Sequence, residues 1–194
     1  MKKFVLLAGF SLASICLVGA GLFYIQIVKD LPDVEALREV RLQTPLRIYT
    51  SDDLLIAEFG QKRRKPVAFH EVPKLFTAAF IAAEDASFFS HAGVDWMAVG
   101  RAAIEYIKTG EKRQGGSTIT MQVARNFFLS SKKTFARKFR ELILARIIEK
   151  KLSKNQILQL YLNKIFLGHR AYGIGAAAQV YYGLNITELN LAQM

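Results

Sequence analysis

The sequence is poor in the residues that build disulfide-stabilised or zinc-stabilised proteins. Its 194 residues include one cysteine, Cys16, and three histidines. A single thiol cannot form an intramolecular disulfide, and the scattered histidines do not combine with it in a zinc-ligand spacing. Hydrophobic residues make up 52% of the chain, which excludes disorder as its main state. The length suits one packed domain and is too short for two large ones.

Acidic residues are also scarce, since 16 Asp and Glu stand against 27 Lys and Arg, a net charge of +11. Residues 108–154 carry 13 of the basic and 3 of the acidic residues, so this segment alone contributes +10. Such a concentration indicates a localised anion site, because a generally basic surface would spread the charge. Nucleic acid, membrane headgroups and a phosphate-bearing substrate are all candidates at this point.

Charged residues are absent from residues 4–28, a run of 25. A helix of that length is about 37 Å long and can cross a hydrocarbon core of about 30 Å. A cleaved signal peptide is the alternative, but its apolar region would be about 7–15 residues long. Lys2 and Lys3 precede the run, so the positive-inside rule places the N-terminus in the cytoplasm. We therefore expect a single-pass anchor, a phosphate-bearing lipid as partner, and no nucleic acid.

The remaining chain divides into a stalk at residues 29–45 and one domain at residues 46–194. Asp33 can cap a short helix in the stalk. The segments LRIYT and LLIAEF flank a turn-forming Ser-Asp-Asp and predict a β-hairpin. Helical patterns follow, and one of them begins with a capping box at residues 153–156. The sequence thus predicts a mainly α domain with a small hairpin near the membrane and an N-terminal transmembrane helix.

One carboxylate interrupts an aromatic stripe. Phe76, Phe80, Glu84 and Phe88 follow one another at spacings of four, which places them on one face of a helix. Aromatic neighbours would strip water from the Glu84 carboxylate and make it a better proton acceptor near neutral pH. The alternative is an acid at the domain rim with Asp85 beside it as a surface cap, and taken alone this alternative is favoured.

A second carboxylate, Glu141, lies on the next long helical pattern. The helix face that contains Glu141 begins with Arg137 and Lys138 and continues into apolar residues. Glu141 is therefore predicted to lie where basic side chains border the buried surface. An ordinary helix salt bridge to Arg137 is the safer interpretation for this residue alone. The predicted core face of the same helix is the stripe Phe135, Phe139, Leu142, Ile143 and Ile147.

Hydroxyl and basic side chains cluster near the glycine pair that precedes Ser117. Small hydroxyl residues at a helix N-terminus, with Arg and Lys beyond, can hold a pyrophosphate. A solvated basic helix face is the alternative. His91 has no partner acid at a characteristic spacing, which favours a hydrogen-bonding structural residue over a base.

Five ordered segments together resemble the family 51 peptidoglycan glycosyltransferases, the glycosyltransferase domain of class A penicillin-binding proteins. They are EDASFFSHAGVD, GGSTITMQVARN, RKFRE, KNQILQLYLNKIFLG and RAYGIGAAAQVYYG, and the resemblance covers about residues 46–194. The anchor, stalk and hairpin are similar to those of the bifunctional members, whose transpeptidase domain is not in this sequence. The last residues read as a continuing helix, so we expect an N-terminal fragment.

The resemblance implies a lysozyme-like fold with a membrane-proximal jaw, and polymerisation of lipid II into β-1,4-linked glycan with inversion and release of undecaprenyl diphosphate. By motif position it implies Glu84 as the general base and Glu141 as a catalytic group assisting at the donor diphosphate. The implied substrate-binding residues are Asp85, His91, Ser117, Thr118, Gln122, Arg125, Lys133, Arg137 and Lys138.

The resemblance also implies a place on the outer, periplasmic face of the bacterial inner membrane. Its implied partners are lipid II, the lipid-linked growing glycan strand and other cell-wall synthesis proteins. A divalent cation, Mg²⁺ or Mn²⁺, often stimulates the family, but no metal-ligand set can be read from the sequence. Met121 and Gln159 depart from the family motifs, and neither departure removes an implied catalytic group.

Two other functions stay open. A lysozyme-like glycan hydrolase also uses a catalytic Glu, but it would not need a basic diphosphate site and should digest purified sacculi. A non-catalytic scaffold on anionic lipid should bind liposomes in a salt-sensitive way that does not depend on Glu84.

Overall fold

The computed structural model describes residues 14, 17–19, 21–29, 31–40, 42–111, 115–130, 132 and 134–194. Much of the predicted anchor, including Cys16, lies outside these residues, and so does Lys133. In the described part of the uncharged run, residues 21–28 are helical and exposed except for Ile27. No helix formed by the described residues combines the length and the apolar character needed to cross a bilayer.

The predicted hairpin is confirmed. Strand β1 (Leu46–Tyr49) pairs antiparallel with β2 (Leu55–Phe59), and Leu46 lies opposite Phe59. Thr50 accepts the backbone N–H of Leu54 at 2.9 Å, which closes the turn.

Helices make up most of the described chain after the hairpin, so the mainly α prediction is confirmed. In chain order they are α1 (Lys74–Glu84), α2 (Trp96–Thr109), α3 (Ile119–Phe128), α4 (Phe135–Lys151), α5 (Lys154–Lys164) and α6 (Ile174–Tyr182). Short 3-10 helices lie at Val34–Glu39, Phe69–Glu71 and Ile186–Glu188.

Helix starts follow the capping residues in the sequence. Asp95 accepts the N–H of Ala98 at 2.8 Å at the start of α2. The predicted capping box of α5 is present, because Gln156 accepts the Ser153 N–H and Ser153 accepts the Gln156 N–H. These local bonds satisfy backbone donors that a helix N-terminus leaves free.

The core forms where α3, α4 and α5 meet. Its fully buried apolar side chains include Ile119, Val123, Leu144, Ile148, Ile157, Leu158 and Leu162. Part of the predicted stalk joins this core, because the 3-10 helix Val34–Glu39 buries Val34 and Leu37. Asp33 caps that helix by accepting the Glu35 N–H at 2.9 Å, as predicted.

The predicted core face of α4 is wrong at its aromatic end, although Leu142 and Ile147 are partly buried against the core. Phe135 is 95% exposed, and the exposed ring of Phe139 lies 5.6 Å from that of Phe23. The helix instead buries Glu141, Leu144, Ala145 and Ile148. The number of apolar side chains favours the stripe that contains Phe135 and Phe139. The stripe that contains Glu141 can nevertheless be buried, because neighbouring cations neutralise the charge of its carboxylate.

Gly93 lies where the loop between α1 and α2 crosses α4. Its φ is +93°, and a Cβ there would lie 2.6 Å from the Ala145 carbonyl oxygen. We expect Gly93→Ala to lower the free energy of unfolding by at least about 1–3 kcal/mol, the cost of backbone strain alone. Denaturant titration followed by circular dichroism measures this change.

Gly100→Ala is the matched control. Gly100 lies inside α2, and a Cβ there would meet no atom within 4 Å beyond its own helix. Alanine in a helix interior is expected to stabilise by about 0.5–1 kcal/mol relative to glycine. Equal effects of the two substitutions would contradict the close packing of the loop on α4.

Candidate active site

A cleft of about 1340 Å³ opens where the C-terminus of α1 faces the N-terminus of α3. It is lined by five of the predicted site residues, namely Glu84, Asp85, His91, Ser117 and Thr118. The first two motif segments, which are distant in sequence, therefore meet at one surface depression.

Glu84 is the last residue of α1, and its side chain reaches the cleft. Its Oε2 accepts a hydrogen bond from Gln122 Nε2 at 2.8 Å. The expected aromatic shielding is wrong, because Glu84 is exposed. The helix ends at Glu84, so Phe88 lies in the following turns and not on the stripe of Phe76 and Phe80. The carboxylate is thus oriented by an amide and open to a substrate.

Tyr161 on α5 is a neighbour of this carboxylate that sequence reasoning missed. Its side chain is buried, and its hydroxyl has no hydrogen-bond partner among the described residues. Burial and then the negative charge of Glu84 raise the pKa of Tyr161, while Arg125 opposes them. The phenol therefore stays neutral. Tyr161 belongs to the apolar pattern of a helix, so the sequence does not indicate that it lies near Glu84.

Asp85 and His91 bind each other inside the loop that follows α1. The backbone N–H of Gly93 donates to His91 Nδ1 at 3.1 Å, so Nε2 carries the proton and donates to Asp85 at 3.0 Å. Asp85 is buried and also accepts the backbone N–H of Ile119 at 3.0 Å. The expectation that His91 lacks a partner acid is wrong, because Asp85 is its partner, and the pair ties the loop to the N-terminus of α3.

The hydroxyl groups of Thr118 and Ser117 have different partners. Thr118 is buried, donates to the Gly93 carbonyl at 2.6 Å and accepts the Met121 N–H at 3.1 Å, so its hydroxyl serves the fold. Ser117 accepts a hydrogen bond from Lys138 Nζ at 2.6 Å. That bond connects the cleft to the basic start of α4.

Glu141 is fully buried between two cations of its own helix. Its Oε1 accepts from Arg137 NH1, and its Oε2 accepts from Lys138 Nζ at 3.2 Å. The expected salt bridge to Arg137 is therefore present. Because both carboxylate oxygens are engaged, Glu141 fixes the positions of Arg137 and Lys138.

Arg125, Arg137 and Lys138 form what we call the cation group. Burial, then Arg125, then Arg137 lower the pKa of Lys138 to about 8, although Glu141 is in contact with it. Cations crowded closely enough to lower one another's proton affinity favour an incoming anion. The structure thus brings together all the predicted cations except Lys133, which lies outside the described residues.

The cleft also contains cations that sequence reasoning did not single out. Arg101 on α2 and Arg146 on α4 line it beside Trp96. In the sequence both arginines read as solvated helix positions, and only the crossing of the helices brings them to the cleft. Among the described residues, no group of three or more His, Cys, Asp or Glu side chains is arranged to hold a metal ion.

Comparison with known proteins gives close relatives. Penicillin-binding protein 1A of Pseudomonas aeruginosa is 53% identical over 171 residues, which are 88% of this chain and 21% of that protein. The Escherichia coli protein of the same name is 50% identical over 190 residues, 95% of this chain and 22% of that protein. The chain therefore spans about a fifth of the length of these relatives.

A crystal structure of penicillin-binding protein 1A from Haemophilus influenzae is 30% identical in sequence, with a TM-score of 0.36 over 79% of this chain and 13% of that chain. The family described as Transglycosylase matches residues 52–194. On that family match and on the 53% and 50% identities to the Pseudomonas aeruginosa and Escherichia coli proteins, the chain belongs to the transglycosylase family, as its five motif segments predicted.

Proposed function

We propose that the chain is a peptidoglycan glycosyltransferase that joins lipid II units into β-1,4-linked glycan with inversion and releases undecaprenyl diphosphate. The main support for this proposal is the position of a carboxylate and a group of cations at one cleft. An exposed carboxylate, Glu84, opens into a cleft that the Ser117 to Lys138 hydrogen bond connects to the cation group. Membership of the transglycosylase family supports the same reaction type.

Glu84 acts as the general base. The 4-hydroxyl oxygen of the acceptor sugar attacks C1 of the donor sugar, and its proton passes to the Glu84 carboxylate as the new bond forms. Gln122 holds that carboxylate by donating to Oε2, which leaves Oε1 available for the proton. Attack on the face opposite the leaving group gives inversion at C1.

The cation group stabilises the leaving group. As the bond from C1 to the diphosphate oxygen breaks, negative charge grows on the diphosphate, and Arg125, Arg137 and Lys138 offer charge-assisted hydrogen bonds to it. Glu141 assists by holding Arg137 and Lys138 in place. Hydrogen bonds hold the cleft wall in position. His91 donates to Asp85, Asp85 accepts the N–H of Ile119, and Thr118 donates to the carbonyl of Gly93.

The described residues do not offer a protein site for the divalent cation that the family resemblance implies. The Glu141 carboxylate gives both oxygens to Arg137 and Lys138, so it has none to offer a hard cation. No step of the proposed reaction passes through Mg²⁺ or Mn²⁺.

We also propose a position for the domain relative to the membrane. Residues 1–28 form a cytoplasmic tip and membrane anchor, residues 29–45 the stalk, and residues 46–194 a lysozyme-like catalytic domain on the periplasmic face. Lipid II and the lipid-linked glycan strand reach the cleft from the membrane, and other cell-wall synthesis proteins act on the product. The length and apolar character of residues 4–28 support this setting.

Parallel assays separate transfer from hydrolysis. The detergent-solubilised chain, with its helical fold verified by circular dichroism, is incubated with lipid II in one arm and purified sacculi in the other. Polymer from lipid II with no digestion of sacculi supports the proposal. Digestion of sacculi without polymer assigns a hydrolase, and liposome binding alone, unaffected by Glu84→Gln, assigns a scaffold.

The lowered pKa of Lys138 predicts an alkaline limit to activity. Below pH 8 the ammonium is charged and attracts the diphosphate, and as pH rises through about 8 it loses that charge. We expect kcat/KM for lipid II to fall above pH 8. In Lys138→Arg the guanidinium keeps its charge, so the fall should move to higher pH. An identical pH profile in the variant would contradict this role.

A further inference from the structure

A second set of cations lies on the segment between the hairpin and α1. Side chains alternate along Lys62 to Lys65, as they do in an extended strand. Arg63 pairs with Glu58 at 3.2 Å and Lys65 donates to Asn185, whereas Lys62 and Arg64 both lie 5.3 Å from the centre of the Tyr172 ring. On one side of the segment, therefore, Arg63 has a carboxylate partner and Lys65 an amide partner, whereas on the other side both cations face an aromatic ring.

Arg64 is the buried residue of the side that faces Tyr172. The residue is 5% exposed, and its Nε is buried without a hydrogen-bond partner among the described residues. A buried charge without a hydrogen-bonded counter-charge is costly, so native structures rarely keep one without a reason. An aromatic face compensates such a charge in part only.

Lys164 at the end of α5 joins Lys62 and Arg64. Its Nζ lies 4.5 Å from the centre of the Phe127 ring. Burial lowers the pKa of Lys164, and the positive charges of Arg64 and Lys62 lower it further. Within the described chain, no carboxylate forms an ion pair with any of the three cations. The cluster is thus a concentration of positive charge without a protein counter-ion.

The backbone around this cluster is held firmly. The N–H of Arg63 donates to the Arg170 carbonyl, and the N–H of Tyr172 donates to the Arg63 carbonyl, both at 2.9 Å. Asn163 binds both the N–H and the carbonyl of Val67 at 2.8 Å. These four bonds fix the backbone of this segment against α5 and residues 170–172, so Arg64 is held where the fold places it.

We propose that Lys62, Arg64 and Lys164 form a second anion site, which binds a phosphate group. Lys62 and Arg64 against the Tyr172 ring, with the charge of Lys164 close to theirs, match a group that carries up to two negative charges better than a single carboxylate. The site shares no residue with the cation group. The charges that lower the pKa of Lys164 are those of Arg64 and Lys62, whereas those that lower the pKa of Lys138 are Arg125 and Arg137. A lipid-linked diphosphate and a phospholipid headgroup both present this chemistry.

Residue-resolved amine labelling tests the site. The detergent-solubilised full chain is treated with an acylating reagent at constant ionic strength, with or without inorganic pyrophosphate, and labelled peptides are quantified by mass spectrometry. At pyrophosphate about ten times its dissociation constant, labelling of Lys62 and Lys164 should fall about tenfold, following the free fraction. Exposed lysines Lys108 and Lys150 serve as internal controls. Equal protection of all four, or none, would overturn the proposal.

Variants locate the protection. Arg64→Gln should abolish protection of Lys164, whereas the matched control Arg63→Gln, on the paired side, should keep it. Since Arg64 is buried, Lys62→Gln at an exposed position supplies a second test that does not disturb the core, and it should weaken protection of Lys164. Protection of Lys164 that survives both changes would refute the site.

Three kinds of vesicle distinguish the sources of phosphate. The chain is reconstituted in phosphatidylcholine alone, with phosphatidylglycerol, or with undecaprenyl diphosphate. Protection with undecaprenyl diphosphate alone assigns a lipid-linked diphosphate, and protection with phosphatidylglycerol assigns a headgroup. Identical labelling in all three refutes the proposal. The same measurement on Glu84→Gln should give the same result, because the site does not depend on the proposed catalysis.

Discussion

Replacement of Glu84 by glutamine is expected to reduce the rate of lipid II polymerisation by a factor of about 10²–10⁴, the usual contribution of a general base. Glutamine keeps the size of the side chain but cannot take the proton of the acceptor hydroxyl. Since Glu84 is exposed and lies at the end of α1, the fold should not change. Polymer formation measured by gel electrophoresis of labelled lipid II gives the rate.

Glu39→Gln is the matched control for this variant. Glu39 is exposed at the end of a 3-10 helix and does not line the cleft, so the same chemical change there should leave the rate unaltered. If Glu84→Gln polymerised lipid II as fast as Glu39→Gln, another group would have to accept the proton.

Replacement of Glu141 by glutamine is expected to have the largest effect on stability among single polar changes in the site. Removing one partner of a buried pair costs about 3–5 kcal/mol, because the other charges stay uncompensated. The side chain of Lys138 is 41% exposed and water can reach it, so we expect about 2–3 kcal/mol here. Thermal or denaturant unfolding followed by circular dichroism measures the change. Polymerisation should also weaken as Arg137 and Lys138 lose their positions.

An exposed ion pair supplies the control for Glu141. Glu35 accepts from Lys151 at 2.6 Å, and both side chains are about half exposed. Such surface pairs contribute about 0–1 kcal/mol to the free energy of unfolding, so Glu35→Gln should change the stability very little. Equal stability losses in the two variants would mean that the buried position of Glu141 has no energetic consequence.

Local signals in the sequence predicted the elements well. Asp33 and Ser153 cap helices at the positions predicted from the sequence, because capping depends on residues within one turn. The hairpin and the basic start of α4 likewise depend on near neighbours. The five motif segments predicted a common site, and the first two line one cleft.

Properties set by packing between distant segments escaped prediction. The sequence does not reveal that α1 stops at Glu84 and leaves it exposed, nor that α4 turns Phe135 to solvent and buries Glu141. The place of Tyr161 beside Glu84 depends on how α5 meets α1. Likewise, Tyr172 and Lys164 come close to Lys62 and Arg64 only through packing between distant segments.

In the proposed reaction the cleft joins sugars with a diphosphate as leaving group, so the stoichiometry of the two products is the decisive measurement. Lipid II is incubated with the folded chain, and new β-1,4 linkages and released undecaprenyl diphosphate are counted together over time. We expect one undecaprenyl diphosphate for each new β linkage in the wild-type chain, and an equal loss of both products in Glu84→Gln. Linkages without diphosphate release, α linkages, or no polymer from the folded chain would contradict it.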